Sequence, residues 1–258
     1  MFTPWPRCDG VPGLFRGDDR TMAWWQRPMA VLDFETTGTD VETDRAVQVA
    51  LLKVGPTGVL NQLCQIIDPG VDVPEAAARI HGITTERARR EGRDPAEVLG
   101  RVGQALEGVW RDGIPVVIMN SSFDLTLLDR ELRRHHGRGL AEVDMLVLDP
   151  MVIDRELDPR RPGKRTLTAL ATHYRVRQDG AHDALADCLT TARIAWRLPR
   201  MHPDWAAMGL TALQGWQADA HRRWAEDYQS YLRRRGGRPD AVIDTSWPWR
   251  PRDVTAEV

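Results

Sequence analysis

Apolar and polar positions change period several times along the chain, and each change marks an element. Met29–Glu35 is an almost unbroken apolar run, the pattern of a strand buried on both faces. Ala46–Val54 and Leu60–Asp68 repeat it on either side of the turn-like "GPTG" at Gly55–Gly58, so the three read as an antiparallel meander. The period then becomes helical. "PEAAARIHG" leads into His81 as a short helix. In "DPAEVLGRVGQALEGVW", Asp94 is the expected N-cap, Pro95 takes N1 and Glu97 N3, and Val98, Val102, Ala105 and Val109 share one stripe. Pro115–Met119 is a short buried strand, a helix follows from about Ser122 to His135, and Val143–Pro150 is a fifth strand. Asp158–Arg165 is a polar, basic loop, and "TLTALATHY" and "HDALADCLTTARIAWRL" are two more helices. In the last of these, Asp183 is the expected N-cap, and Leu185, Leu189, Ala192 and Trp196 form the expected buried stripe.

This order predicts an α/β fold around a mixed sheet. Residues 29–198 form the expected core domain. Residues 1–28, rich in Pro, Gly and Trp, are a loose extension with Trp24 and Trp25 set against the first strand. Residues 199–258 are a helical extension patterned through Leu213, Ala220, Trp224, Tyr228 and Tyr231, expected to pack against the core, although its aromatic and arginine content also suits a partner or a nucleic-acid strand.

Composition narrows the function classes. The chain has 258 residues, 42% of them hydrophobic, enough for one good-sized core. No apolar stretch is long enough to cross a membrane. "MFTPWPRCDG" lacks a basic region followed by an apolar one, so no secretory signal is expected there. Cys8, Cys64 and Cys188 are far apart and form no metal-spaced pair, which points to a reducing cytoplasm. The net charge of −2 gives no overall basic field for tight non-specific binding of nucleic acid. Lys53 and Lys164 are the only lysines, and arginine carries the remaining positive charge, a bias that also suits bidentate phosphate contacts.

The candidate chemistry lies in carboxylates. Asp33 and Glu35 are two apart in a strand and so share a face. Side by side they repel and raise each other's pKa unless a cation sits between them. On their own they are also consistent with a solvated strand end. Asp124 shares its helical face with Leu127 and Leu128, and an acid on a buried face needs a partner. Asp187 lies within the last core helix and His182 at its start. Four acids from three elements suit a hard divalent ion such as Mg²⁺ or Mn²⁺, and no Cys/His cluster favours zinc. Two such ions about 4 Å apart clamp the attacking and leaving oxygens of an in-line phosphoryl displacement. A histidine then supplies a base that titrates near neutral pH.

"DFETTG", "NSSFD" and "HDALAD" resemble the three exonuclease motifs of the DnaQ-like, DEDDh-type 3′–5′ exonucleases, a family that includes the proofreading subunit of bacterial replicative DNA polymerase. "RIHGIT" resembles that family's segment between the first two motifs. The likeness spans roughly Met29 to Leu198, and its order and spacing are more specific than any single motif. It implies a ribonuclease H-like five-stranded sheet, three antiparallel strands followed by two parallel ones. It also implies two divalent cations held by Asp33, Glu35, Asp124 and Asp187, with Asp33 bridging both and His182 as general base. Thr36 and Thr37 would face the terminal nucleotide, although Thr37 equally fits a simple turn. His81 would contact the same nucleotide or cap its helix. Asn120 and Phe123 would line that pocket, Phe123 also fitting the core. One departure is Met119, where many relatives carry a histidine.

The expected activity is removal of nucleoside monophosphates from 3′ ends, chiefly of single-stranded DNA, in proofreading or repair and with a DNA polymerase as one possible partner. An RNA-trimming or oligonucleotide-degrading enzyme shares the motif set. A non-catalytic nucleic-acid-binding module and a metal-stabilised structural domain are the readings from other classes. The intact set of five argues against the former and the placement of His182 against the latter.

Overall fold

The computed structural model describes residues 22–140, 144–180 and 182–251. Residues 1–21, with Cys8, and Val143 lie outside them. The meander forms as its pattern predicts: β1 (Met29–Thr36), β2 (Ala46–Gly55) and β3 (Gly58–Ile66) pair antiparallel, turning tightly between Gly55 and Gly58. β2 is buried along its whole length, whereas β3, at the sheet edge, is exposed over its first half. Then come α1 (Glu75–His81), α2 (Thr85–Glu91), α3 (Pro95–Arg111), β4 (Val116–Val117), α4 (Ser121–His136) and β5 (Val147–Leu148). They are followed by α5 (Pro150–Leu157), α6 (Leu167–Tyr174), α7 (Ala184–Met201), α8 (Pro203–Ala206) and α9 (Leu210–Arg234). The sheet order is β3-β2-β1-β4-β5, with β4 parallel to both β1 and β5.

Apolar layers cover both faces of the sheet. One holds Leu32, Phe34 and Leu51 beneath α3 and α4, and the other holds Met29, Val31 and Leu52 beneath α6 and α7. Trp24 is buried in the second layer and meets Trp205 edge-to-face at 5.5 Å, so the N-terminal tryptophan packs as expected. Asp94 caps α3 by accepting the Glu97 N–H at 2.9 Å.

Four expectations change. The fifth strand shortens to two residues because Asp149 and Pro150 open α5: the Asp149 carboxylate accepts the N–H groups of Met151 (3.0 Å) and Val152 (3.3 Å). The fourth strand shortens because Asn120 already caps α4. α7 turns Ala184, Cys188, Ala192, Ala195 and Leu198 deepest into the core, while Leu185, Leu189 and Trp196 are only partly buried, so the buried stripe is rotated from the expected one. Small residues there let the helix approach the sheet closely. Finally, α2, α5 and α8 are elements that the period did not reveal, each being eight residues or fewer.

The chain after α7 packs onto the core. Gln214 accepts the Val147 N–H at 2.8 Å, and the fully buried Gln217 accepts the Asp149 N–H at 2.8 Å while donating to the Val147 carbonyl at 2.9 Å. α9 thus covers the β5 edge that would otherwise stay unpaired. Gln217→Leu is expected to strand both backbone groups and lower the unfolding free energy by about 2–4 kcal/mol, measured by urea denaturation. An unchanged midpoint would show that α9 contributes nothing through this residue.

Candidate active site

Strand alternation sets the direction of the first two acids. Met29 and Val31 face α7, so Asp33 and Glu35 continue the same series. Asp33 lies opposite Ala50 and Glu35 opposite Gln48, and regular pairing breaks between Glu35 and Thr36. The carboxylates therefore stand where β1 leaves the sheet. Across from them, Gln48 accepts the Ala184 N–H at 3.3 Å, and Asp183 caps α7 by accepting the Leu185 and Ala186 N–H groups, both at 3.1 Å. Asp187 follows one turn later. His182 precedes the cap in a left-handed conformation (φ 63°), with its N–H donating to Asp187 Oδ2 at 3.1 Å. Ligand atoms of Glu35, His182 and Asp187 all lie within 4.8 Å of one another.

Asp124 arrives from the other layer. It is buried in the first turn of α4, and its Oδ1 accepts the Phe34 N–H at 3.1 Å. The start of α4 is held by Asp149, whose carboxylate accepts the N–H groups of Asn120 (3.1 Å) and Ser121 (2.8 Å) and the Ser121 hydroxyl (3.1 Å). Asp149 thus positions Asp124. The apolar run places Asp149 inside a strand, although Asp149-Pro150 repeats the Asp-Pro helix start at Asp94-Pro95.

The electrostatics call for a cation. Burial pushes Asp33 well above the usual carboxylate range, and Asp124, Asp187 and Glu35 add to the shift. Glu35 is raised to about 7 by burial, with Asp187 and Asp183 adding to it. Burial also raises Asp124 against the opposing Phe34 hydrogen bond, and raises Asp187 against that of His182. Asp187 Oδ1 is buried with no hydrogen-bond partner. An orphaned anionic oxygen among four carboxylates fits a hard divalent cation.

The expected nucleotide contacts divide. His81 closes α1, its Nδ1 accepting the Ile83 N–H at 3.2 Å, so it does serve the chain around its own helix end. Its Nε2 is nevertheless buried without a partner, close to the Thr36 backbone and His182, and burial lowers its pKa. The Thr36 hydroxyl donates to the Gly38 carbonyl at 2.6 Å. Thr37 is committed to the turn: its N–H donates to the Arg45 carbonyl and its hydroxyl to Asp44 Oδ1 at 2.8 Å. A Cβ at Gly38 would stand 2.4 Å from Asp44 Oδ2 and displace the carboxylate that holds Thr37. Asn120 is exposed in a left-handed conformation, and Phe123 is half-buried against the core, with Trp247 and Trp249 packed on the same layer.

Comparison with known proteins places the chain in a family. Residues 30–195 match the family model RNase_T, described as an exonuclease. A DNA polymerase III PolC-type protein of Lacticaseibacillus paracasei is 30% identical over 193 residues, covering 74% of this chain and 12% of that protein. A similar protein of Listeria monocytogenes is 27% identical over 190 residues, again 74% of this chain and 12% of the other. The chain thus spans about an eighth of the curated relatives it matches. E. coli Exonuclease I in complex with a dA16 oligonucleotide superposes with a TM-score of 0.60 at 21% identity, covering 70% of this chain and 42% of that one. Exonuclease I of Methylocaldum szegediense gives 0.56 at 22% identity, covering 80% and 46%. The chain therefore belongs to the RNase_T exonuclease family, the DnaQ-like exonucleases of the ribonuclease H-like superfamily.

Proposed function

We propose that this chain removes nucleoside 5′-monophosphates from the 3′ end of single-stranded DNA, as a DEDDh-type enzyme using Mg²⁺ or Mn²⁺. The observation that carries this reading is the grouping of Glu35, Asp187 and His182 ligand atoms within 4.8 Å of one another, with Asp187 Oδ1 unpartnered and the buried Asp33 within electrostatic reach of Asp124, Asp187 and Glu35. Asp33, Glu35, Asp124 and Asp187 would hold two such cations. When bound, these supply positive charge to the attacking and leaving oxygens of an in-line displacement. His182, exposed on a loop, takes the proton of the attacking water as its oxygen bonds to phosphorus and the bond to the 3′ oxygen breaks. His81 Nε2, the Thr36 backbone, Asn120 and Phe123 receive the terminal nucleotide. The DNA-bound Exonuclease I neighbour and the PolC-type relatives support DNA as substrate and a polymerase as partner. The free Cys64 and Cys188 suit a reducing cytoplasm. Digestion of matched 5′-labelled DNA and RNA, single-stranded and duplex, with Mg²⁺, Mn²⁺ or EDTA tests the reading. Preferred digestion of RNA would reassign the substrate.

Asp33→Ala or Asp187→Ala is expected to lower the turnover of single-stranded DNA by at least ~10³-fold while leaving the circular dichroism spectrum near wild type. Activity retained by either variant would refute the site. His182→Ala is expected to lower kcat by about 10²–10⁴-fold at saturating metal, with little change in the metal concentration giving half activity. If the metal titration shifts and the saturated rate does not, His182 is a ligand and not the base.

The raised carboxylate pKa values also set a pH dependence. Glu35 has a higher pKa folded than unfolded, so its protonated form stabilises the fold. That contribution is complete below the ordinary glutamate range near 4 and is lost as pH rises through about 7. In EDTA, Glu35→Gln should therefore gain about 2 kcal/mol over wild type between pH 5 and 7.5, and Mg²⁺ should raise the wild-type Tm more than the variant's. A wild-type-to-variant difference independent of pH would contradict this electrostatic account.

A further inference from the structure

We infer that the outer half of α9 is a stacking platform for the single-stranded nucleic acid leading away from the active site. The inference rests on the exonuclease reading above and concerns residues outside the catalytic cluster.

Three independent observations carry it. The first is an aromatic ladder. Trp224 and Tyr228 stack at 5.4 Å with planes 15° apart, and Tyr228 and Tyr231 at 6.3 Å with planes 12° apart. The Arg155 guanidinium lies 3.7 Å from the centre of the Trp224 ring and seals the inner end of the stack. The outer end is open, with Tyr228 39% and Tyr231 53% exposed. A core helix buries such rings, whereas this one orders them in nearly parallel planes and leaves them in water. Base–aromatic stacking needs exposed rings and tolerates any base, since every base has a π-face.

The second observation is position. α9 runs in the direction of β5, because Gln214 binds Val147 and Gln217 binds Asp149 at the strand's C-terminal end. One turn later His221 Nε2 pairs with the Asp244 carbonyl at 3.2 Å. From Asp244 the chain returns across α4, where the Ser122 hydroxyl donates to Ser246 O at 3.5 Å and the Arg250 N–H donates to Thr126 Oγ1 at 2.9 Å. Ser122 is two residues before Asp124. His221 is thus tied to the end of α4 that carries Asp124, and the 25-residue helix continues past the C-terminal end of β5. At 1.5 Å per residue, Tyr231 stands about 15 Å beyond His221.

The third observation is charge. The chain as a whole is negative, yet residues 221–250 contain seven arginines against four acids. Arg234, Arg235 and Arg238, beside Tyr231, are exposed and make no ion pair among the described residues. Aromatic faces next to unpaired guanidinium groups suit a chain of bases joined by phosphates better than an apolar protein surface.

The test compares wild type with Tyr228→Ala/Tyr231→Ala, both exposed and outside the catalytic set. Substrates are a DNA trinucleotide, too short to extend far beyond the catalytic cluster, and an oligonucleotide of about 20 residues, long enough to reach a second contact. For the long substrate kcat/KM should fall about 10- to 100-fold, mostly through KM, and for the trinucleotide it should stay unchanged. Tyr228→Phe/Tyr231→Phe should restore the long-substrate value, because stacking needs the ring and not the hydroxyl. Equal rates for wild type and the alanine variant on both lengths would overturn the platform and leave the exonuclease reading standing. An equal loss on both lengths would also overturn it, by showing a general structural defect. A wild type inert on both lengths would instead remove the exonuclease reading beneath it.

Discussion

The structure depends on holding four carboxylates together against their mutual repulsion. Asp33, Glu35, Asp124 and Asp187 each sit where burial favours the neutral form and the neighbouring acids favour it further. The fold opposes this with a rigid frame. β1 is apolar up to Leu32, and α7 lies close over it through Ala184 and Cys188, which is fully buried beneath Asp33. The Phe34 amide holds Asp124 from one side, and the His182 amide holds Asp187 from the other. Strain of this kind persists only where the surroundings over-determine the geometry, and it marks a place where a ligand is to be bound.

The support for this cluster extends well beyond the acids. Asp149 orders the start of α4, opens α5 and is itself received by Gln217 of α9. A continuous series of hydrogen bonds therefore runs from the C-terminal helix through Asp149 to the turn that carries Asp124. The tail is thus a structural neighbour of the active site, and the same helix that closes the sheet edge carries the aromatic ladder outward. The returning segment, with Trp247 and Trp249 packed on the α3/α4 layer, fixes where that helix stands relative to α4.

Much of this was legible in the sequence. Buried strands announced themselves as apolar runs, because a sheet covered on both faces excludes polar side chains over most of its length. The caps at Asp94 and Asp183 were legible because a capping side chain bonds within three residues of itself. The exceptions share a cause. The shortened β4 and β5, the short helices α2, α5 and α8 and the rotated stripe of α7 all depend on neighbours in space, and no local period encodes those. Thr37 is the same case within the site: the motif alone could not decide between nucleotide and turn, and its bonds to Asp44 and Arg45, seven and eight residues on, commit it to the turn.

The sequence by itself determined the chemical groups, their order and the strand alternation that puts Asp33 and Glu35 on one side. Only the tertiary structure decided which groups meet. It left Asp187 Oδ1 without a partner, buried the His81 Nε2 near the Thr36 backbone, and made Asp149 the anchor of α4. The physical reason is distance along the chain. The bonds that settle these questions join residues 28 to 90 positions apart, as between Asn120 and Asp149 or Phe34 and Asp124, and they form only when the packed layers bring those residues together.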